Sequence, residues 1–259
     1  MCNRLRALLG LLLITLAAPT HADRVHAAVA ANFAGAMGRL APLFEARTGH
    51  QLVPSFGASG QLYAQINQGA PFDIFLSADD ITPRKLVASG HGLEDTEVLY
   101  ARGRLALWSA APGYVDNRGA ILASGDFKRL AMANPKTAPY GRAALETLTG
   151  LGLEDRLRPR FVTGESVAQT HQFVASGNVP LGFVALAQVL ALPVAQRGSH
   201  WLVPANLHQP IDQRAVLLRG SRSPEAARAF LYFLQSPEAT AIIRELGYET
   251  PADLPRATE

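Results

Sequence analysis

Four short stretches combine small residues with amide or hydroxyl groups at points where a strand pattern gives way to a helix pattern. They are Ala30-Ala31-Asn32-Phe33, Gly57-Ala58-Ser59-Gly60, Ala138-Pro139-Tyr140-Gly141 and Gly164-Glu165-Ser166-Val167. The first turn of a helix carries backbone N–H groups without intrahelical acceptors, and the helix dipole adds roughly half a positive charge there. An anion is the natural occupant of such a place. Glycine and alanine let an oxygen atom approach the backbone closely, while Ser59 and Asn32 add side-chain donors without a full charge. Any one junction is explained by ordinary helix capping. Their joint placement, two in each half of the α/β pattern, predicts a site for a small anion held by neutral donors.

Such a site needs no cationic side chain. Hydrogen bonds to a charged group contribute about 1.5 to 3 kcal/mol each, so about six or seven of them can hold a dianion. Neutral donors also discriminate by protonation, because a protonated phosphate needs an acceptor for its hydrogen. The carboxylate at these junctions is Glu165, which reads as a first-turn acid favourable to its own helix. Sulfate, a fully deprotonated dianion, passes this test of protonation.

A catalytic reading of the same residues finds less support. Ser59 lies between Gly57 and Gly60, but a nucleophile elbow requires G-x-S-x-G and residue 61 is Gln. His171, His200 and His208 form no HExxH or paired metal spacing and are assigned to surface or core hydrogen bonding. A secreted hydrolase using Ser59 stands as the minor alternative, beside a different small anion on the same scaffold and an interaction module that has lost its cleft.

The elements that must position these residues follow an alternating grammar. Val25 to Ala31 reads as a buried strand. Phe33, Met37, Leu40 and Phe44 then recur at helical spacing up to Gly49, and Gln51 to Phe56 resumes as a strand. A helix from Ser59 carries Leu62 and Ile66, Phe72 to Leu76 forms a third strand, and a helix over Pro83 to Ser89 leads to a strand region from Val98 to Trp108. The middle of the chain repeats the pattern with strands at Arg129 to Ala133, Arg160 to Thr163 and Leu181 to Leu186, and helices at Tyr140 to Thr149 and Val167 to Ala175. An extended segment, Gln213 to Leu218, precedes two amphipathic helices. This predicts an α/β protein with largely parallel sheets, divided into two lobes joined by a hinge near Arg102 and Gly103. Residues 23–103 with 205–259 form the expected first lobe and 104–204 the second, with the ligand cleft between them and beyond the carboxyl ends of the strands.

The 259 residues are 48% hydrophobic and 17% charged, an ordinary globular composition. Arg4 and Arg6 precede an apolar run from Ala7 to Ala18, and Thr20 and Ala22 are small residues suited to signal peptidase, so residues 1–22 read as a signal peptide cleaved near Ala22. The run is shorter than the roughly 20 residues a spanning helix needs. Cys2 is the single cysteine and departs with that peptide, leaving no disulfide or thiolate site in the mature chain. Loss of the two arginines lowers the formal charge from +3 to +1. No basic stripe is present, so nucleic acid is not an expected partner.

At this point the chain resembles the periplasmic molybdate-binding proteins of ABC transporters, a branch of the bilobal type II solute-binding fold. The resemblance covers Asp23 to Gly247 and rests on AVAANFAGAM, SFGASGQLYAQINQGAPFDIFLSAD, NPKTAPYGRAA, ESVAQT and LGFVALAQ, of which the second is the most specific. It implies an exported, periplasmic, monomeric protein without enzymatic activity or cofactor, which carries molybdate or tungstate to a membrane permease. It also implies that the oxyanion is held by Ala31, Asn32, Ser59, Tyr140 and Val167, with no residue bonding the metal directly. Asn32 and Ser59 are expected to use side chain and backbone, and Tyr140 and Val167 their backbone N–H groups. Ala31 stands where some relatives carry a hydroxyl, so it offers its N–H alone. Ala185 stands where some relatives carry a tyrosine, with Tyr140 compensating from another wall of the cleft.

Overall fold

Apolar residues run almost unbroken through the central strands, the pattern of sheets covered by helices on both faces. The computed structural model describes residues 22–254. The expected signal peptide lies outside the described residues except for Ala22. Along the chain, β1 (Arg24–Ala30), α1 (Ala34–Thr48), β2 (Gln51–Gly57), α2 (Ser59–Asn67), β3 (Ile74–Leu76), α3 (Ile81–Ala88) and β4 (Val98–Gly103) come first. The second group comprises β5 (Leu105–Ser109), α4 (Ala120–Ser124), β6 (Leu130–Ala133), α5 (Pro139–Gly150), α6 (Glu154–Leu157), β7 (Phe161–Gly164), α7 (Val167–Ala175), β8 (Gly182–Ala185), α8 (Leu186–Leu190) and β9 (Ser199–Leu202). The chain then returns as β10 (Ile211–Leu217), α9 (Pro224–Leu234) and α10 (Pro237–Glu245).

Two five-stranded sheets result, in the orders β2-β1-β3-β10-β4 and β7-β6-β8-β5-β9. On one face of the first sheet, Val25, Ala27 and Val29 pack with Phe33, Met37, Leu40 and Phe44 and with Phe230 and Ile243 from the last two helices. On the other face, Ala28, Phe75 and Val216 meet Leu62, Ile66 and Leu86. Period-two alternation in the strands thus feeds two helical layers. Helix α1 stops where expected, with Gly49 in the left-handed region at φ 76° and its N–H on the carbonyl of Glu45. The second sheet is built the same way, with Leu105, Leu107, Met132 and Phe183 against α5 and Trp108, Ala131 and Val184 against α7.

The sheets are mixed rather than largely parallel. β1 pairs parallel with β2 and β3, and β6 with β7 and β8, but β10 runs antiparallel to β3 and β4, as β5 does to β8 and β9. The antiparallel strands are those that carry the chain between sheets. The expected continuous region Val98 to Trp108 is accordingly two strands in different sheets, parted at Arg104. Strand β9 and the short α4, α6 and α8 have no counterpart in the pattern of the sequence.

Candidate functional site

All four strand-to-helix junctions meet at one point. A small enclosure is lined by Ala30, Ala31, Asn32, Gly57, Ala58, Ser59 and Ala78 from the first lobe and Ala138, Pro139, Tyr140 and Val167 from the second. It therefore brings together the five residues singled out from the sequence. The room inside is far below that of drug-sized pockets, which run to about 300–1,000 Å³, so a small ion is the largest ligand that suits it. None of its lining side chains carries a charge at neutral pH.

The donors follow from helix geometry. Ser59 is the first residue of α2 and Val167 the first of α7, while Tyr140 is second in α5 behind Pro139, which has no N–H to offer. Among the described residues, the amides of Ser59, Tyr140 and Val167 donate to no protein acceptor. Ser59 adds its hydroxyl. Oγ already accepts from the amide of Ala78 at 2.9 Å, so the hydroxyl hydrogen remains available to a ligand. The start of α7 is fixed by Ser166, whose Oγ accepts from the amide of Gln169. Ala31 is buried in the 3-10 turn that follows β1 and has only its backbone to contribute.

Asn32 departs from the expectation for its side chain. Nδ2 donates to Gln213 Oε1 at 3.0 Å and to Tyr248 Oη at 3.1 Å, and Tyr248 Oη in turn donates to the Asn32 carbonyl at 2.9 Å. Its Oδ1 is buried without a partner. Tyr140 likewise turns its phenol away from the role of replacing a tyrosine at 185. The Tyr140 hydroxyl accepts from Gln213 Nε2 at 3.3 Å, and Ala185 does not line the enclosure. The ring reaches the first lobe because residue 103 is glycine; a Cβ there would sit 2.1 Å from Tyr140 Oη. Burial pushes the phenols of Tyr100, Tyr140 and Tyr248 well above their ordinary range, so all three are neutral hydroxyls.

Besides the bond between Gln213 and Tyr140, further polar contacts cross the cleft around the enclosure. The amide of Gly60 donates to the Thr137 carbonyl at 2.9 Å, Gln61 Nε2 donates to Glu165 Oε2 at 3.0 Å, and Arg142 Nη2 lies 3.2 Å from Asp79 Oδ2. Glu165 is therefore a cleft-spanning acceptor as well as an acid before a helix. A larger hollow of about 360 Å³ shares Pro139 with the enclosure, but it is lined by Asp79, Asp80, Glu146 and Asp212 against Arg142. Its carboxylates repel an anion, which leaves the smaller space as the candidate site. Gln213, Tyr100, Tyr248, Thr137 and Asp79 were missed in the sequence. The one available signal was Gln213, an uncharged polar residue inside an otherwise well-buried strand.

The histidines play no part in the enclosure. His171 stacks on Trp108 with ring centroids 4.6 Å apart inside the second lobe, and among the described residues no cluster of His, Cys, Asp and Glu is arranged to hold a metal.

The chain is similar to known proteins over most of its length. The molybdate-binding protein ModA of Azotobacter vinelandii is 48% identical over 246 residues, spanning 95% of this chain and 97% of its own. ModA of Rhodobacter capsulatus is 48% identical over 239 residues, 92% of this chain and 93% of its own. The solved structure of the Azotobacter vinelandii periplasmic molybdate-binding protein superposes with a TM-score of 0.84 at 44% identity, covering 88% of this chain and 99% of that one. Residues 25–249 match the family described as bacterial extracellular solute-binding proteins, and the chain belongs to that family.

Proposed function

We propose that this protein binds molybdate or tungstate in the enclosure between its lobes and delivers it to the membrane permease of an ABC transporter. The observation that carries the reading is the convergence of uncharged donors from four helix starts, two per lobe, on one ion-sized space. The relatives named for molybdate support the cargo. Ala31, Asn32, Ser59, Tyr140 and Val167 form the ligand set: backbone N–H groups, reinforced by the Ser59 hydroxyl, point at the oxyanion's four oxygens. The metal atom is reached through its oxygens alone.

Residues 23–103 with 205–259 act as one rigid lobe and 104–204 as the other, hinged at the two crossings. Closure excludes water and strengthens each donor, and the contacts at Gly60, Gln61 and Asp79 hold the closed form. The mature protein works in the periplasm as a monomer, with the peptide 1–22 removed, and needs no cofactor. It is a carrier rather than an enzyme: the partner of Ser59 Oγ is a backbone amide, not a base.

Calorimetric titration with molybdate, tungstate, sulfate and phosphate tests this. Saturable binding of the first two with at most weak sulfate binding is the expected result. Equal or tighter sulfate binding reassigns the cargo, and no response to any oxyanion removes the carrier role.

A further inference from the structure

Asn32 lines the enclosure with 2% of its surface exposed, yet the atom it leaves without a partner is an acceptor, Oδ1. A bare carbonyl oxygen beside a dianion is repulsive, and a buried acceptor without a donor costs about 1–3 kcal/mol. Both amide hydrogens are instead spent inward on Gln213 and Tyr248. Gln213 is itself fully buried; its Oε1 accepts from Asn32 at 3.0 Å and from Tyr100 at 3.1 Å, while its Nε2 donates to Tyr140 at 3.3 Å. The Tyr140 hydroxyl then accepts but finds no acceptor for its own hydrogen among the described residues.

These two deficits have a common remedy. We propose that Asn32 and Gln213 form an amide switch: on oxyanion binding both amide planes turn by half a rotation together, so that Asn32 Nδ2 donates to the bound anion. The proposal rests on the oxyanion reading given above. After the turn, Gln213 Nε2 donates to Asn32 Oδ1 across the same 3.0 Å and to Tyr100 Oη across the same 3.1 Å. Tyr100 keeps its bond to the Ser77 carbonyl at 3.0 Å, and Tyr248 keeps its bond to the Asn32 carbonyl at 2.9 Å. Gln213 Oε1 now faces Tyr140, whose hydroxyl becomes a donor across 3.3 Å. No heavy atom changes its neighbours; the Asn32–Tyr248 side-chain bond at 3.1 Å is given up, and in return Asn32 Oδ1 gains Gln213 as a donor, the Tyr140 hydroxyl gains an acceptor and Asn32 Nδ2 gains the anion.

The switch also ties occupancy to shape. Asn32, Tyr100, Gln213 and Tyr248 belong to the first lobe, and Tyr140 alone comes from α5 of the second. A turn that converts Tyr140 from a poorly satisfied acceptor into a donor strengthens the link between lobes when the anion arrives. Gln213, which does not line the enclosure, is on this account a positioning residue acting through Asn32.

Neutron diffraction from deuterated crystals of the wild-type protein grown with and without molybdate reads the switch directly. The expected result is deuterium on the Asn32 atom facing the anion and on Tyr140 Oη toward Gln213 in the complex, with the opposite amide orientation in the free protein. Identical amide orientations in the two crystals, or Oδ1 facing the anion, overturn it. Titration of Asn32→Ala provides a second measure, with molybdate affinity expected to fall about tenfold to a hundredfold; unchanged affinity also overturns the proposal. Wild-type protein that binds no molybdate removes the proposed cargo and the switch together. Wild-type protein that binds molybdate with its amides unturned removes the switch alone.

Discussion

The amide of Gly60 donates to the carbonyl of Thr137 across the cleft at 2.9 Å, and a Cβ on Gly60 would lie 3.0 Å from that same oxygen and 3.1 Å from the Thr137 Cα. Both neighbours are backbone, so neither can yield without moving a lobe. Gly60→Val should hold the lobes ajar and lose a backbone hydrogen bond worth about 1 kcal/mol, weakening molybdate binding about fivefold or more. Small-angle scattering in saturating molybdate should show a larger radius of gyration than the wild type. A wild-type radius and affinity would mean that closure does not pass through this contact.

Ser59→Ala removes two things at once. The ligand loses a hydroxyl donor, so molybdate affinity should fall about tenfold to a hundredfold in calorimetry. The amide of Ala78 loses its acceptor as well, so the free protein should be less stable by about 1–3 kcal/mol in urea unfolding. An unchanged titration curve would take Ser59 out of the site.

Ala31→Ser is predicted to act in the opposite direction. Residue 31 lines the enclosure at the turn after β1, where a hydroxyl could join the existing donors. One added hydrogen bond to the anion corresponds to affinity tightened by up to about tenfold. Equal affinity for the two proteins would show that a hydroxyl at this position does not reach the ligand.

His171 supplies a pH dependence independent of the ligand. Burial lowers its pKa, and its Nε2 is buried without a partner, so the folded protein holds the neutral ring. The unfolded chain takes up a proton near the ordinary value of about 6.5. This stability is therefore complete above that pH and is lost as pH falls below it toward the lower folded value. Replacing the ring with His171→Phe keeps a flat partner for Trp108 and should flatten the dependence of Tm on pH between about 7 and 5. A residual slope is expected from His200, lowered by burial and by nearby Arg197. A slope identical to the wild type would contradict the assignment.

Local patterns make much of the architecture legible in the amino-acid sequence alone. Helix α7 spans Val167–Ala175 as read from its spacing, and Gly49 ends α1 because a left-handed cap suits glycine. The four junctions are visible because small residues ahead of a helix have a local signature. The partners of Asn32 are not, since Gln213 and Tyr248 lie 181 and 216 residues away in sequence and nothing near residue 32 announces them. Strand direction escapes for a similar reason: whether β5 and β10 run with or against their neighbours depends on which sheet the chain has just left. Amphipathic periodicity carries no information on that choice.

Strand β10 lies between β3 and β4, so the interior of the first sheet is filled by residues 211–217, near the end of the chain. Any nascent or truncated chain ending before them leaves two unsatisfied strand edges facing an open slot, with the apolar faces of Phe75 and Tyr100 beside it. The amino-terminal half is consequently unable to mature on its own while synthesis continues. The first sheet thus closes only once the last fifth of the chain has emerged and β10 slots into its interior, whereas the second sheet draws all its strands from residues 105–202 and waits for nothing beyond them.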